Sequence, residues 1–178
     1  MTIYLIRHGQ SEFNAVYTGS GDAMIIDAPL TELGQQQAKH ARSQVAKLGI
    51  SHVMCSPLTR TIQTALLVCP DLTPQVVAKA REHLGHSCDV GVAPSKLQSR
   101  FPELDFSHLD EIWWYQGPLN EYGIPVEPQE VFKARMAELA RDLHAHTARP
   151  LAVVCHGYVV DALTGVHPEN CGIVPLHP

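Results

Sequence analysis

The sequence predicts an α/β domain of three layers, with helices on both faces of a mostly parallel central sheet. Three observations carry that expectation. Short apolar runs alternate along the chain with stretches of helical period. The runs at 4–6 and 151–155 are continuously apolar, as strands buried on both faces are. At 178 residues and 45% hydrophobic content, the chain has the material for one substantial core and implies no second domain.

The first strand closes in Arg7-His8-Gly9, and Ser11-Glu12 stand where the cap and first turn of a helix belong. Neighbouring strand residues face opposite sides, so Arg7 and His8 serve one site only if the strand stops there, which Gly9 permits. Gly9 also lets backbone N–H groups approach a ligand. A turn-rich loop over 19–29 carries Gly19, Gly21, Asp22 and Pro29. Thr31 then caps a helix to about Leu48, with Leu33, Gln37, Ala41 and Val45 at helical spacing and Gly49 beyond its end. Residues 51–55 form a second strand. Ser56-Pro57 supply a cap and a first-turn proline for a helix to about Cys69, which Pro70 ends. Val76-Val77-Ala78 read as a third strand leading to Glu82.

Over 83–128 the periodicity fails, and this stretch holds the cluster Trp113-Trp114-Tyr115 with short helical pieces only near 95–101 and 109–115. Two readings stay open: a lid or substrate-specificity insertion, or a packed connection covering the sheet. Regular pattern returns at Pro128, where Phe132, Met136, Leu139 and Leu143 mark the buried face of a helix to about His146. The strand 151–155 ends in His156-Gly157, a helical stretch follows over 158–163, and Pro175 holds a last strand near 171–176 to the sheet edge.

Composition excludes several functions. A net charge of −5 with scattered basic residues is not a nucleic-acid surface, and no apolar run reaches membrane-spanning length. Nothing at the N-terminus resembles a signal segment, so a cytoplasmic protein is expected. The five cysteines are widely spaced and read as reduced core thiols, with no disulfide framework. Among the eleven histidines, His83, His86 and Cys88 have a zinc-like spacing, but no fourth ligand lies nearby and no metal or other cofactor is expected. The sequence leaves the oligomeric state open.

Three junctions concentrate the chemistry: Arg7-His8-Gly9, Ser56-Pro57-Leu58-Thr59-Arg60 and His156-Gly157. In a parallel sheet the carboxyl ends of the strands share one edge, where ligands bind. Two arginines and two histidines thus meet in one crevice with helix N-termini around them, a place for an anion: a carboxylate, or phosphate, whether inorganic or on a small phosphorylated substrate.

These residues also carry a resemblance. The segments Leu5-Ile6-Arg7-His8-Gly9-Gln10-Ser11-Glu12-Phe13-Asn14, Ser56-Pro57-Leu58-Thr59-Arg60-Thr61-Ile62-Gln63-Thr64-Ala65 and Val154-Cys155-His156-Gly157 resemble, in order and spacing, the signatures of the histidine phosphatase superfamily in its phosphoglycerate-mutase-like branch. The resemblance implies that His8 is a nucleophile phosphorylated on its ring. It implies that Arg7, Arg60 and His156 hold the phosphoryl oxygens, with Asn14 as a further contact. It places the proton donor at Glu82, with Asp89 in reserve. Many relatives carry an aspartate directly after the second histidine; here that position is Gly157, which favours Glu82. Without the resemblance, Glu82 reads as a surface carboxylate paired with Arg81 or Lys79. Thr18-Gly19 lie where relatives contact substrate, though a plain turn explains them equally.

Elementary chemistry supports these roles. Nearby arginines keep a histidine neutral and nucleophilic and stabilise the transferring phosphoryl group. The expected activity is metal-independent hydrolysis of phosphomonoesters through phosphohistidine. The alternatives are a phosphoglycerate-type mutase, a silent phosphate-binding module and a metal hydrolase. A mutase needs extra cations for the second acidic group of its substrate. The stretch 83–128 offers only Lys96 and Arg100, against Asp89, Glu103, Asp105, Asp110, Glu111, Glu121 and Glu127.

Overall fold

Five strands assemble in the order β3-β2-β4-β1-β5 in the computed structural model, which describes residues 2–177. The elements follow as β1 (Ile3–Arg7), α1 (Glu12–Val16), α2 (Glu32–Lys47), β2 (His52–Cys55), α3 (Thr59–Val68), β3 (Gln75–Val76), α4 (Pro94–Arg100), α5 (Gln129–Ala145), β4 (Leu151–Cys155), α6 (Gly157–Thr164) and β5 (Ile173–Leu176). All pairings are parallel except that of β5 with β1. The mostly parallel α/β architecture expected from the sequence is therefore present.

The period of two along each strand sorts side chains into the two outer layers. Ile6, Val53, Cys55, Ala152 and Val154 pack with Ala38, Ala41 and Val45 of α2 and Ile62 and Ala65 of α3. On the other face Ile3, Leu5, Met54, Leu151 and Val153 meet Phe132, Met136, Leu139 and Leu143 of α5 and Val159 and Val160 of α6. The five cysteines are buried and free, and burial pushes the Cys69 and Cys171 thiols up to about 11 and the Cys55 thiol to about 12.

Register aligns the carboxyl ends of the central strands. Arg7 lies beside Cys155, and Cys55 beside Val154. The ladders end with the N–H of His8 donating to the Cys155 carbonyl (3.0 Å) and that of Ser56 to the Val154 carbonyl (3.1 Å). His8, Ser56 and His156 consequently leave the sheet at one edge.

Four local expectations differ. In α2 the core-facing residue of the first turn is Gly34, while Leu33 is exposed. Helix α3 begins at Thr59 and not at Ser56-Pro57, because its first N–H is capped from afar: Asp27 accepts from the Thr59 N–H (2.8 Å) and hydroxyl (2.6 Å). Strand β3 ends at Val76, and a 3-10 turn over Ala78–Ala80 carries the chain toward the sheet edge. No helix forms over 109–115: Trp113 is buried in the α2–α3 core with its indole N–H on the Val92 carbonyl (3.0 Å), and that anchor overrides local pattern.

Candidate active site

His8 follows the last residue of β1 and is 4% exposed. Its Nδ1 lies 2.6 Å from the Gly9 carbonyl oxygen. A carbonyl only accepts, so Nδ1 carries the proton and Nε2 keeps its lone pair. The Arg60 Nε–H donates toward that Nε2 at 3.3 Å. Burial, then the Arg60 charge and that of Arg7, hold the His8 pKa well below its ordinary value, so the ring is neutral at pH 7.

Gly9 works differently from the sequence expectation. Its N–H is engaged by the Thr64 hydroxyl (3.1 Å) and does not face a ligand. A Cβ on Gly9 would collide with the Gly34 carbonyl, and one on Gly34 with the Gln10 carbonyl, so the two glycines let the first turn of α2 lie directly on the loop after β1. Helix α1 is closed as an anion site as well. Ser11 and Asn14 form a reciprocal capping box, with the Asn14 N–H on Ser11 Oγ (3.1 Å) and the Ser11 N–H on Asn14 Oδ1 (3.2 Å), while the Glu12 N–H donates to the Pro29 carbonyl (2.9 Å). Asn14 lines the cleft beside His8 with its amide Nδ2 uncommitted to that box.

Positive charge comes instead from side chains. Arg60, in the first turn of α3, is 2% exposed and held by the Cys88 carbonyl (2.5 Å) and the Asp89 carboxylate (2.8 Å). Arg7 donates from Nη1 to the Pro168 carbonyl (2.8 Å), and its buried Nε has no partner. His156 is fully buried with its ring centroid 5.2 Å from that of His8. Its Nε2 meets Ser56 Oγ at 2.9 Å, and its Nδ1 is buried without a partner. Burial and the Arg60 charge hold His156 neutral too. The orphaned Arg7 Nε–H calls for an acceptor that the protein does not supply, and His156 Nδ1 calls for one too when its Nε2 accepts from the Ser56 hydroxyl.

Glu82 sits in the loop after the 3-10 turn. Its Oε1 accepts from the His83 N–H (2.8 Å) and its Oε2 from the Tyr158 N–H (3.3 Å) in the first turn of α6. Neither sequence-expected cation pairs with it: Lys79 bridges to Glu138 and Asp142, and Arg81 to Glu127. Burial, reinforced by the Asp89 charge, raises the Glu82 pKa to about 7. The loop is pinned from α5, where Arg135 donates to the carbonyls of Lys79 (2.9 Å), Arg81 (2.7 Å) and Glu82 (3.1 Å). Asp89 is otherwise occupied. Oδ1 takes Arg60, and Oδ2 takes the N–H groups of Gly85 (3.3 Å) and His86 (3.2 Å).

Arg7, His8, Asn14, Arg60, Glu82 and Asp89 thus line one cleft of about 360 Å³, with His156 behind His8 and off the cleft wall. Thr18 and Gly19 are exposed and do not line it. The zinc-like trio disperses, with His83 Nε2 on the Glu127 carbonyl (2.7 Å), the His86 ring against Phe13 and Tyr17, and Cys88 Sγ on Asp89 (3.5 Å). Among the described residues no group of three or more His, Cys, Asp or Glu is gathered to hold a metal ion, and no helix is long and apolar enough to cross a membrane.

The sequence reading missed Phe13, Tyr17, Tyr158 and His167, which also line the cleft. Phe13 of α1 and Tyr17, the residue that caps its end, stand four apart and were readable from helical spacing; His167 was not, because only the fold brings its loop over Gly157. A Cβ on Gly157 would lie 2.7 Å from the His167 ring and 3.4 Å from Arg7 Nε, which accounts for glycine after the second histidine.

Known proteins resemble this chain in sequence and in fold. A probable phosphoglycerate mutase GpmB of Klebsiella pneumoniae is 31% identical over 172 residues, covering 92% of this chain and 73% of the relative. A putative phosphoserine phosphatase 2 of Hydrogenobacter thermophilus is 27% identical over 190 residues, covering 98% and 88%. In the matches with the GpmB proteins of Cronobacter sakazakii and Enterobacter, the chain spans 44% of the relative's length. Among solved structures, a mycobacterial glucosyl-3-phosphoglycerate phosphatase complexed with VO3 superposes with a TM-score of 0.64 over 98% of this chain and 90% of the other; at 23% identity that likeness is one of fold. The model of the histidine phosphatase superfamily, branch 1, matches residues 3–168, nearly the whole chain and every segment that builds the cleft, and the chain belongs to that superfamily.

Proposed function

We propose that this protein hydrolyses phosphomonoesters of small molecules through a phosphohistidine on His8, without a metal. The observation that carries the reading is a histidine held neutral with its unprotonated Nε2 turned to the Arg60 guanidinium, beside two unpartnered buried nitrogens, Arg7 Nε and His156 Nδ1. A bound phosphoryl group supplies the acceptor that Arg7 Nε lacks and, with the proton of His156 on Nδ1, one for that nitrogen behind His8. Nε2 of His8 attacks phosphorus as the bond to the leaving oxygen breaks, and the Glu82 carboxylic acid gives that oxygen its proton. The Glu82 carboxylate then takes a proton from water, whose oxygen displaces Nε2 and releases inorganic phosphate. Arg7, Arg60, His156 and the Asn14 amide hold the equatorial oxygens, and Asp89 fixes Arg60. A carboxyl with a pKa near 7 suits both halves of this cycle.

The GpmB-named relatives favour a mutase as the second reading. A mutase must hold a second acidic group while excluding water, yet the cleft's Lys and Arg side chains are Arg7 and Arg60, both at the phosphate end. The acidic tally over 83–128 is a weaker reason, since Glu127 and Asp89 are paired inward and Arg100 turns to Asp27. Incubation with labelled phosphomonoester and an acid quench tests the nucleophile. An acid-labile, base-stable phosphoenzyme is expected, with loss of the label and a fall in kcat of roughly three orders of magnitude or more in His8→Ala. Label retained on His8→Ala removes the assignment. Rapid conversion of 3-phosphoglycerate to 2-phosphoglycerate with little phosphate released, in the presence of trace 2,3-bisphosphoglycerate, promotes the mutase.

A further inference from the structure

Beyond its nitrogen-rich floor the cleft changes character, and its walls become rings. Phe13 of α1 and Tyr17, just past its end, stack at 5.2 Å with an interplanar angle of 23°, and His86 abuts both at 5.3 and 5.1 Å. A second group comes from another part of the chain, where Tyr158 at the start of α6 meets His167 edge-on at 5.6 Å and His83 at 6.2 Å. All six rings line the one cleft. Tyr17 is 39% exposed and Tyr158 57%. Single exposed aromatics are ordinary, but two groups of rings from separate elements converging on one mouth form a surface that a ligand covers.

Charge narrows the ligand further. The guanidiniums of the cleft are Arg7 and Arg60, and Arg60 is engaged by Asp89 and the Cys88 carbonyl. The remaining charged groups are the carboxyls of Glu82 and Asp89. A leaving group bearing a carboxylate or second phosphate meets these carboxyls and no ammonium or guanidinium of its own. A flat, uncharged ring meets stacking faces, with imidazole nitrogens at hand for its polar edge. A volume of about 360 Å³ holds a phosphate and one such group.

We propose that the preferred substrate is a phosphomonoester whose alcohol carries a flat, uncharged ring, aryl or nucleoside in kind, and no second anionic group. The proposal rests on the phosphohydrolase reading above. It assigns Tyr17 and Tyr158 as the side chains that select the leaving group.

The test compares kcat/KM for a nucleoside 5′-monophosphate, ribose 5-phosphate and 3-phosphoglycerate, with p-nitrophenyl phosphate as the activated control. The first two share a leaving alcohol and differ by the ring, so stacking is expected to favour the nucleotide by about 10–100-fold. Tyr17→Leu and Tyr158→Leu should each narrow that gap by raising KM for the nucleotide, and Tyr→Phe at either position should restore it. Equal values for nucleotide and ribose 5-phosphate, or preference for 3-phosphoglycerate, overturn the substrate class while leaving the hydrolase intact. Phosphate release from none of the four, the activated ester included, overturns the hydrolase reading and the substrate class with it.

Discussion

Two glutamates stand on either side of the same short loop, and the molecule treats them in opposite ways. Glu127, 1% exposed, is gripped by Arg135 through both oxygens (3.0 and 2.6 Å), by Arg81 (3.1 Å) and by the Leu84 N–H (3.3 Å). Glu82 has two backbone N–H donors and no cation within salt-bridge reach, and the Asp89 charge opposes its ionisation. A carboxylate taken from water needs paired charge to remain comfortable, and Glu127 has it twice over. Glu82 lacks it and is left poised to exchange a proton near neutral pH. What separates the structural carboxyl from the one proposed to react is the presence of partners, together with the cleft that half-buried Glu82 lines. The two are also connected, because Arg135 binds the Glu127 side chain and the Glu82 backbone together.

That contrast predicts a division between activity and stability. The largest effect belongs to Glu82→Gln, expected to lower kcat by roughly two to four orders of magnitude on alkyl phosphates and far less on p-nitrophenyl phosphate, whose leaving group needs no proton. Equal losses on both would make Glu82 structural and erase the contrast. Glu127→Gln should instead appear in urea denaturation, at about 3–5 kcal/mol, by leaving the Arg135 and Arg81 guanidiniums without the carboxylate that pairs with both. Full stability with lost turnover would reverse the roles.

The pH dependence follows from the same difference. With Glu82 at about 7, turnover of alkyl phosphates should fall as pH rises above 7, and Glu82→Gln should lose that limb. Stability moves the same way. A folded-state pKa raised above the ordinary value of 4.5 contributes stability that is present below 4.5 and lost as pH climbs through 7. Wild type should therefore lose Tm relative to Glu82→Gln across that window, and thermal melts at pH 4.5, 6 and 8 measure it. The smallest effect is reserved for Asp89→Asn. It loosens Arg60, raising KM by about tenfold, and removes the charge that lifts Glu82, so the alkaline limb should shift to lower pH. An unmoved limb would show that burial alone sets the Glu82 pKa.

The legible parts of this protein were those written in neighbouring residues. Continuous apolar strands, the Ser11 and Thr31 caps and the buried stripe of α5 stood in the sequence because they depend on contacts a few residues apart, where local sterics and hydrogen bonds decide. The three strand-end junctions were legible for a related reason: a parallel sheet has one carboxyl edge, so residues following its strands must meet. Tertiary structure alone decided the rest. It capped α3 with Asp27, thirty-two residues away, in place of Ser56; it denied 109–115 a helix by burying Trp113. It gave Lys79 and Arg81 to other carboxylates, leaving Glu82 unpaired, and it laid His167 over Gly157. The physical reason is common to these cases. Which charge finds which partner, and which ring covers which backbone, are set by distances across the fold, and sequence spacing does not encode them.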